Sequence, residues 1–317
     1  MNRTFTQRPG LLEAVIAGGV TLLFALAVLI TYARFPVEEF YHVSEVGLRG
    51  AIGQTLVFLN YPGAFIALAL LPITTSSLLA AAWYRREVVV AAIVAALLCL
   101  VAAGPDVVTQ SDMDFKLVNA IPAVGVAITA VLVLLAVRAN GLGPVRPWQR
   151  ADTVRAVIGG IFALGGLPWM LGMAGFYIEQ VPLLGRVFMS KGTENGAEVI
   201  YVHLGTHHGF SGLMFLLTAL LLARVVGTVT PHWLDRLLSV FVAFMLAYGI
   251  ANFTQDFWYE QVVKRGWSSY DIPNTTVPAV TPVWGLILLG ALLAWLVMFH
   301  EPAARGRSHQ RPVIIPS

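Results

Sequence analysis

Three histidines lie within six residues of one another in the segment 194–215. His203 and His207 are four residues apart, so on a helix both imidazoles project from one face, roughly 6 Å apart. This spacing lets one helix supply two ligands to a zinc or iron ion. His208 points about 100° away and could serve a second partner. The segment therefore predicts a metal site with His203, His207 and His208 as candidate ligands. The structural alternative is a set of interhelical hydrogen bonds.

A second polar stripe lies later in the chain, where Asn252, Asp256 and Glu260 are spaced four residues apart. On a helix these side chains share one face, so the carboxylates could complete a His/carboxylate metal site or act as acid and base. We assign Asp256 as a metal ligand and Glu260 as a catalytic candidate, either of which could be the carboxylate ligand. The alternative is an ion pair between Glu260 and Lys264, which follows at the same spacing.

Further carboxylates are predicted at the same ends of neighbouring helices. Asp112 and Asp114 precede one apolar run, and Glu179 follows another. Any one of the three could act as the base towards water on the metal. Aspartates at a helix start are also common caps that complement the helix dipole, and a glutamate just past a helix is often solvated. Both roles stay open for these residues.

The segment RFPVEEFYHVSEVGLRG (34–50) contains polar residues at helical spacing. Glu38, His42 and Glu45 form one stripe if the segment is helical, beside an apolar stripe. This pattern predicts an amphipathic helix that lies in the membrane interface and roofs the polar site. Haem held between His42 and one of the later histidines is a further variant of the cofactor prediction.

Membrane helices are the elements that must position these residues. Hydrophobic residues make up 57% of the 317-residue chain and charged residues 12%, whereas a soluble domain carries about 25% charge. Runs of about 20 apolar residues mark membrane helices. We predict an all-α, polytopic bundle that forms a single domain over 1–317, with a flexible tail at 300–317. Its eight helices are expected at about 11–33, 58–83, 88–104, 117–137, 154–175, 205–224, 234–254 and 278–299.

The basic residues predict the orientation of this bundle. With both termini inside, the inner segments hold 13 of the 20 lysines and arginines but 5 of the 17 acidic residues. This distribution places the termini in the cytoplasm and the histidine and carboxylate segments at the extracytoplasmic face. It also accounts for the basic pI without a nucleic-acid partner. Short loops and an arginine-rich inner face are typical of a bacterial plasma membrane. The single cysteine excludes a disulfide scaffold and a thiolate zinc site.

These patterns predict a membrane-embedded enzyme that depends on a divalent metal ion, zinc or iron, and acts on a lipid-phase or amphipathic substrate. One alternative is a proton- or metal-coupled transporter, in which the same side chains form a binding and protonation site beside helices broken by prolines. Most of the charged residues fall at the outer ends of the helices, and this placement favours the enzyme. A second alternative is an accessory subunit of a membrane complex that has no chemistry of its own.

Overall fold

The computed structural model of the chain describes residues 10–81, 85–104, 107, 112–143, 145–176, 182, 191–194, 197–200, 202–275 and 281–299. Within these residues the regular secondary structure is helical apart from one small hairpin, in which strands β1 (Lys191–Glu194) and β2 (Ala197–Ile200) pair antiparallel. The helices are α1 Leu11–Arg34, α2 Gly47–Phe58, α3 Ala64–Ala80, α4 Arg85–Leu100, α5 Ala120–Asn140, α6 Arg150–Gly165, α7 Leu167–Met173, α8 His208–Leu222, α9 His232–Trp258 and α10 Pro282–Phe299.

Six helical stretches in the described ranges are long and apolar enough to cross a membrane. Helices α6 and α7 make a seventh span if they are counted together, although they bend by 61° where they meet. Helix α8 is apolar but has 15 residues, whereas a crossing takes about 20. The prediction of a helical membrane bundle is confirmed. The number of crossings and the side of each terminus stay predictions, and the predicted tail lies outside the described residues. The six stretches are Leu11–Arg34, Gly47–Ala80, Arg85–Ala103, Leu117–Asn140, His232–Val263 and Pro282–Phe299.

The outward surface of the bundle is apolar. Leu23 on α1 and Val297 on α10 are 63% and 84% exposed, and only 6% of the apolar stretch of α10 is buried. In water such a surface promotes association, whereas in a bilayer the lipid tails cover it. The exposed leucines and valines are therefore those of a protein that lies in a lipid bilayer.

Helices α8 and α9 approach each other closely at a pair of glycines. A Cβ atom added to Gly212 would lie 2.7 Å from the carbonyl oxygen of Gly249, and a Cβ atom on Gly249 would lie 2.7 Å from that of Gly212. Small residues at such a crossing let the two backbones touch. The start of α8 is thereby held within hydrogen-bonding reach of the last turns of α9.

Two of the helices contain a π turn. Leu59–Gly63 joins α2 to α3 and contains Pro62, whose ring and missing N–H do not fit an α-helical turn. Tyr259–Val263 continues α9 and contains Glu260. A π turn inserts an extra residue into a helix and is frequent at functional sites. Residues of both turns line the same cavity.

The segment 35–46 is not the amphipathic helix that the sequence predicts. It contains one 3-10 turn, Val37–Glu39, and is otherwise irregular until α2 begins. His42 has a positive φ of 50°, a left-handed conformation that interrupts a right-handed helix. The predicted stripe of Glu38, His42 and Glu45 is therefore wrong, because the segment has no continuous helical face.

Buried ion pairs tie the opposite end of the bundle. Nε of Arg224, which follows α8, lies 3.4 Å from Oδ1 of Asp152, and its Nη1 lies 3.8 Å from Oε1 of Glu13. Arg155 also contacts Asp152, at 2.8 Å. Both carboxylates are buried, so the loss of one partner would leave a buried charge unpaired. The cluster fixes the starts of α1 and α6 against the end of α8.

Candidate metal centre

A cavity of about 300 Å³ lies at the end of the bundle where α9 ends. Four segments contribute to its wall: Tyr41 comes from 35–46, Met113 precedes α5, His203 precedes α8 and Lys264 follows α9. The segments that the sequence placed on the outer side therefore converge on one cavity. Histidines and carboxylates form one part of the lining, and an apolar part is formed by Val57, Phe58, Tyr61 and Pro62.

His203, His207 and Glu260 form a compact group in this wall. One ligand atom from each residue lies within 4.8 Å of the other two. His207 and Glu260 are 5% and 2% exposed, and His203 is partly buried. Two imidazoles and one carboxylate are a donor set that catalytic zinc sites use while a fourth position stays open for substrate or water. The group could therefore hold a metal ion.

The two histidines do not lie on a helix, so the predicted helical spacing is wrong. Helix α8 begins at His208, and Gly205 has a φ of 91°, which breaks the helix before it. A Cβ atom on Gly205 would come within 2.3 Å of the Tyr32 hydroxyl, so only glycine fits there. The rings of His203 and His207 nevertheless stack, with their centroids 3.9 Å apart and an interplanar angle of 22°.

Backbone carbonyls orient both imidazoles. Nδ1 of His203 lies 2.7 Å from the carbonyl oxygen of Leu204, and when it donates there its Nε2 keeps a lone pair for a ligand. Nε2 of His207 lies 2.9 Å from the carbonyl oxygen of His203, and its Nδ1 lies 3.1 Å from Oε1 of Glu260. A neutral imidazole has one N–H, and when Nε2 of His207 carries it and donates to the carbonyl, Nδ1 and the carboxylate oxygen are two acceptors in contact. A proton or a metal ion between them resolves this conflict.

Trp169 on α7 holds the glutamate of the group. Its indole Nε1 donates to Oε2 of Glu260 at 2.6 Å, which leaves Oε1 directed at His207. The indole is buried, and its ring lies 6.2 Å from that of His207. Partners of this kind orient a ligand and tune its basicity. Trp169 is not among the predicted site residues, because a tryptophan inside an apolar run has the pattern of a packing residue.

Asp256 lies beside the group. Its Oδ2 accepts the backbone N–H of Gly209 at 2.7 Å and lies 3.9 Å from Nδ1 of His207. Its Oδ1 lies 3.5 Å from Nδ1 of His208, and Nε2 of His208 also bonds to Oε1 of Gln255. Asp256 therefore anchors the start of α8 and orients His208. In this geometry the carboxylate of Glu260 lies nearer to Nδ1 of His207 than the carboxylate of Asp256 does.

The predicted stripe on α9 is present as a buried polar face. Asn252, Asp256 and Glu260 are all buried, and they follow one side of the helix into the cavity wall. Asn252 accepts a hydrogen bond from the Thr275 hydroxyl at 2.7 Å. The predicted alternative, an ion pair of Glu260 with Lys264, is not the contact that the structure shows for this carboxylate, whose partners are His207 and Trp169.

Asp114 fastens the segment 35–46 instead of entering the group. Its Oδ1 accepts the backbone N–H of Ser44 at 2.8 Å, and its Oδ2 bonds to the Ser44 hydroxyl. The backbone N–H of Met113 donates to the carbonyl oxygen of His42 at 3.1 Å. Residues 112–114 therefore hold the segment over the cavity.

Asp112 lies beside that attachment point. Its Oδ2 lies 3.3 Å from Nζ of Lys116, the i, i+4 pair that the sequence predicts, and both side chains are partly exposed. The structure thus gives Asp112 and Asp114 contacts away from the two histidines. Glu179, the third predicted base, lies outside the described residues.

The two histidines of the group have pKa values that move in opposite directions. Burial acts to lower the pKa of His207, but the negative charges of Glu260 and Asp256 outweigh burial and raise it above its ordinary value. Burial and the positive charge of His207 lower the pKa of His203 well below its ordinary value. The site thus favours one positive charge next to the carboxylates and a neutral imidazole beside it.

No protein-family model, no curated protein and no solved structure matches this chain. A helical membrane bundle is compatible with enzymes, carriers and accessory subunits alike. Function therefore has to be inferred from the geometry of the site.

Proposed function

We propose that this protein is a membrane-embedded enzyme that binds a divalent metal ion through His203, His207 and Glu260 and acts on an amphipathic substrate. The contact between Nδ1 of His207 and Oε1 of Glu260 carries the proposal. Both atoms are acceptors when the neutral imidazole donates its one proton from Nε2 to the His203 carbonyl, both side chains are buried, and the two atoms lie 3.1 Å apart. Two ligand atoms at 2.0–2.2 Å from a tetrahedral zinc ion lie about 3.3–3.6 Å apart, so a shift of a few tenths of an ångström would let these two atoms share an ion.

The residues around the group fit a metal ion as well. Trp169 fixes the orientation of Glu260, and a backbone carbonyl fixes each imidazole. Such outer contacts are typical of metal ligands. A bound zinc, iron or manganese ion would supply Lewis-acid chemistry. The protein's own contribution is a rigid set of three ligands facing a cavity large enough for the reacting end of a substrate.

Acid–base chemistry is assigned to His208 in this proposal. His208 lines the cavity next to the metal group, and Asp256 and Gln255 fix its ring. A histidine held in this way can move a proton to or from a group bound beside it. Asp112 and Asp114 are less suitable as bases, because their carboxylates contact Lys116 and Ser44.

Elemental analysis of detergent-purified protein tests the proposal. We expect about one equivalent of zinc, iron or manganese per chain in the wild type and none in the His203→Ala/His207→Ala double variant. His232→Ala is the matched control, because His232 starts α9 at the opposite end of the bundle and contacts Arg236. Size-exclusion profiles show whether each variant is folded. A folded wild type that contains no metal and takes up none would overturn the proposal.

A metal-coupled carrier is the second candidate, and the broken helices favour it. Helices α6 and α7 bend by 61°, with Pro168 in the first turn of α7, and Pro62 lies in a π turn that lines the cavity. Secondary carriers often bind their cargo at such breaks. Zinc uptake into proteoliposomes distinguishes the two: uptake that depends on both histidines favours the carrier, and binding without uptake favours the enzyme.

A further inference from the structure

Lys264 places a positive charge in the cavity wall. It follows the π turn Tyr259–Val263, and its Nζ lies 5.9 Å from the ring centre of Tyr41 and 5.2 Å from that of Tyr259. It forms no ion pair with any residue that the structure describes. Lysines that are partly buried usually have an anionic partner. Among the described residues no carboxylate lies within ion-pair distance of this ammonium, and Glu260 interacts with it only over a longer distance.

The two buried acidic residues of the lining have closer partners than Lys264. Glu260 and Asp256 already accept hydrogen bonds, from the indole of Trp169 and from the backbone at the start of α8. Asp271 also lines the cavity, but it is exposed, so water and salt screen its charge. An anion that enters the cavity thus meets at Lys264 a positive charge that no described residue neutralises by a direct ion pair.

Two aromatic rings hold the ammonium in place. Tyr41 and Tyr259 come from different segments, and the ring of Tyr41 also stacks on that of His203, 5.3 Å away. Cation–π contacts of this kind attract an ammonium and restrict its position. Because the charge is positioned before a ligand arrives, less conformational freedom is lost when the ligand binds. Lys264 and the metal group are linked through the same ring of Tyr41.

Another part of the cavity wall is apolar. It is formed around the π turn of α2 and α3 by Val57, Phe58, Tyr61 and Pro62. A volume of about 300 Å³ lies at the lower end of the range for small-molecule sites. The cavity is therefore suited to a head group and the first part of an attached chain, and the rest of the chain can lie in the bilayer.

We infer that the cavity binds an amphipathic molecule with an oxyanion head, a carboxylate or a phosphate, which Lys264 recognises while the chain contacts the apolar wall. The inference rests on the proposed function, because it names the class of substrate that is presented to His203, His207 and Glu260. An oxyanion paired with a lysine forms a charge-assisted hydrogen bond, stronger than a bond between neutral groups.

Isothermal titration calorimetry of the full chain in dodecyl maltoside micelles tests this inference. The probes are dodecyl phosphate, dodecanoate and dodecyltrimethylammonium, which share a chain and differ in head group. We expect Lys264→Met to weaken binding of the anionic probes by about tenfold or more, and Lys264→Arg to stay within about threefold of the wild type. Arg265→Met is the matched control, since Arg265 is the adjacent cation but contacts Gln261 and Trp267. Preference between the two anionic probes identifies the head group.

Two results would overturn the inference. The first is equal affinity of wild type and Lys264→Met for both anionic probes, and the second is tighter binding of dodecyltrimethylammonium than of either anion. Metal content, measured on the same samples, separates this test from that of the proposed function. If the wild type contains metal but its anion binding does not depend on Lys264, the inference fails and the proposed function stands. A metal-free wild type whose anion binding depends on Lys264 removes the enzyme proposal and keeps the anion site.

Discussion

Oε1 of Glu260 lies 3.1 Å from Nδ1 of His207, although one residue belongs to the end of α9 and the other precedes α8. The contact exists because the crossing of α8 and α9 brings the two segments together. It joins a buried carboxylate to a buried imidazole, so its loss changes charge, hydrogen bonding and ligand geometry at once. The ligand group is therefore a product of helix packing as well as of residue type.

Replacing Glu260 by glutamine should remove most metal binding without unfolding the protein. The amide oxygen can still accept the N–H of Trp169, but it carries no negative charge for the ion. Zinc affinity can be measured by competition with a chelator. Loss of a residue that only hydrogen-bonds to a metal ligand lowers affinity by about 10–100-fold, and we expect a larger fall for Glu260→Gln. Asp271→Asn removes an exposed carboxylate from the same cavity and should leave the affinity unchanged. Wild-type affinity in Glu260→Gln would show that this carboxylate is not a ligand.

Replacing Trp169 by phenylalanine should weaken metal binding through Glu260. Phenylalanine keeps most of the buried volume but lacks the indole N–H that donates to Oε2 at 2.6 Å. We expect zinc affinity to fall by about 10–100-fold, the range found for outer partners of metal ligands. The control is Trp267→Phe, at an exposed position. If both variants bind zinc equally well, the indole has only a packing role.

Replacing Gly212 by alanine should destabilise the bundle and disturb the site together. The new methyl group would meet the Gly249 carbonyl, so the helices must separate, at a cost of about 1–3 kcal/mol. Thermal unfolding in detergent measures this loss. Gly160→Ala on α6, where nothing lies within 4 Å of the added atom, should be neutral or stabilising by up to about 1 kcal/mol. Equal melting temperatures in the two variants would contradict the close crossing.

Replacing Asp114 by asparagine should loosen the segment 35–46 while metal binding persists. The charged acceptor that holds the N–H and hydroxyl of Ser44 is weakened in this variant. Hydrogen exchange, read by mass spectrometry, should quicken in this segment and remain unchanged in α9. Asp112→Asn, which alters the pair with Lys116 and the acceptor of the Asp114 backbone N–H, is the comparison. A loss of metal in Asp114→Asn would show that Asp114 takes part in metal binding.

Hydropathy and spacing predict much of this architecture. Long apolar runs identify the helices because a bilayer imposes one length on them all. The buried face of Asn252, Asp256 and Glu260 follows from the helical repeat alone. The grouping of His203 with His207 also holds, although a turn at Gly205 brings the rings together. Two histidines four residues apart in the chain can bring their rings together in a turn as well as in a helix.

Contacts between distant segments could not be predicted in the same way. The indole of Trp169 reaches Glu260 only because α7 turns sharply away from α6. Lys264 faces two rings from separate segments, and no repeat in the sequence encodes that encounter. The segment 35–46 has the periodicity of a helix, but its attachments to neighbouring loops and the left-handed residue His42 override that tendency.

The π turn Tyr259–Val263 carries a consequence for how this site could arise and be lost. Such a turn corresponds to a single residue inserted into an ordinary helix. Its deletion would rotate everything beyond it by about 100°, because each residue of an α-helix advances the chain by that angle. Asp256 precedes the turn and would keep its place, whereas Glu260 lies within the turn and Lys264 follows it, so both would leave their positions in the cavity wall. The proposed ion site and the proposed head-group site thus both depend on the same inserted residue.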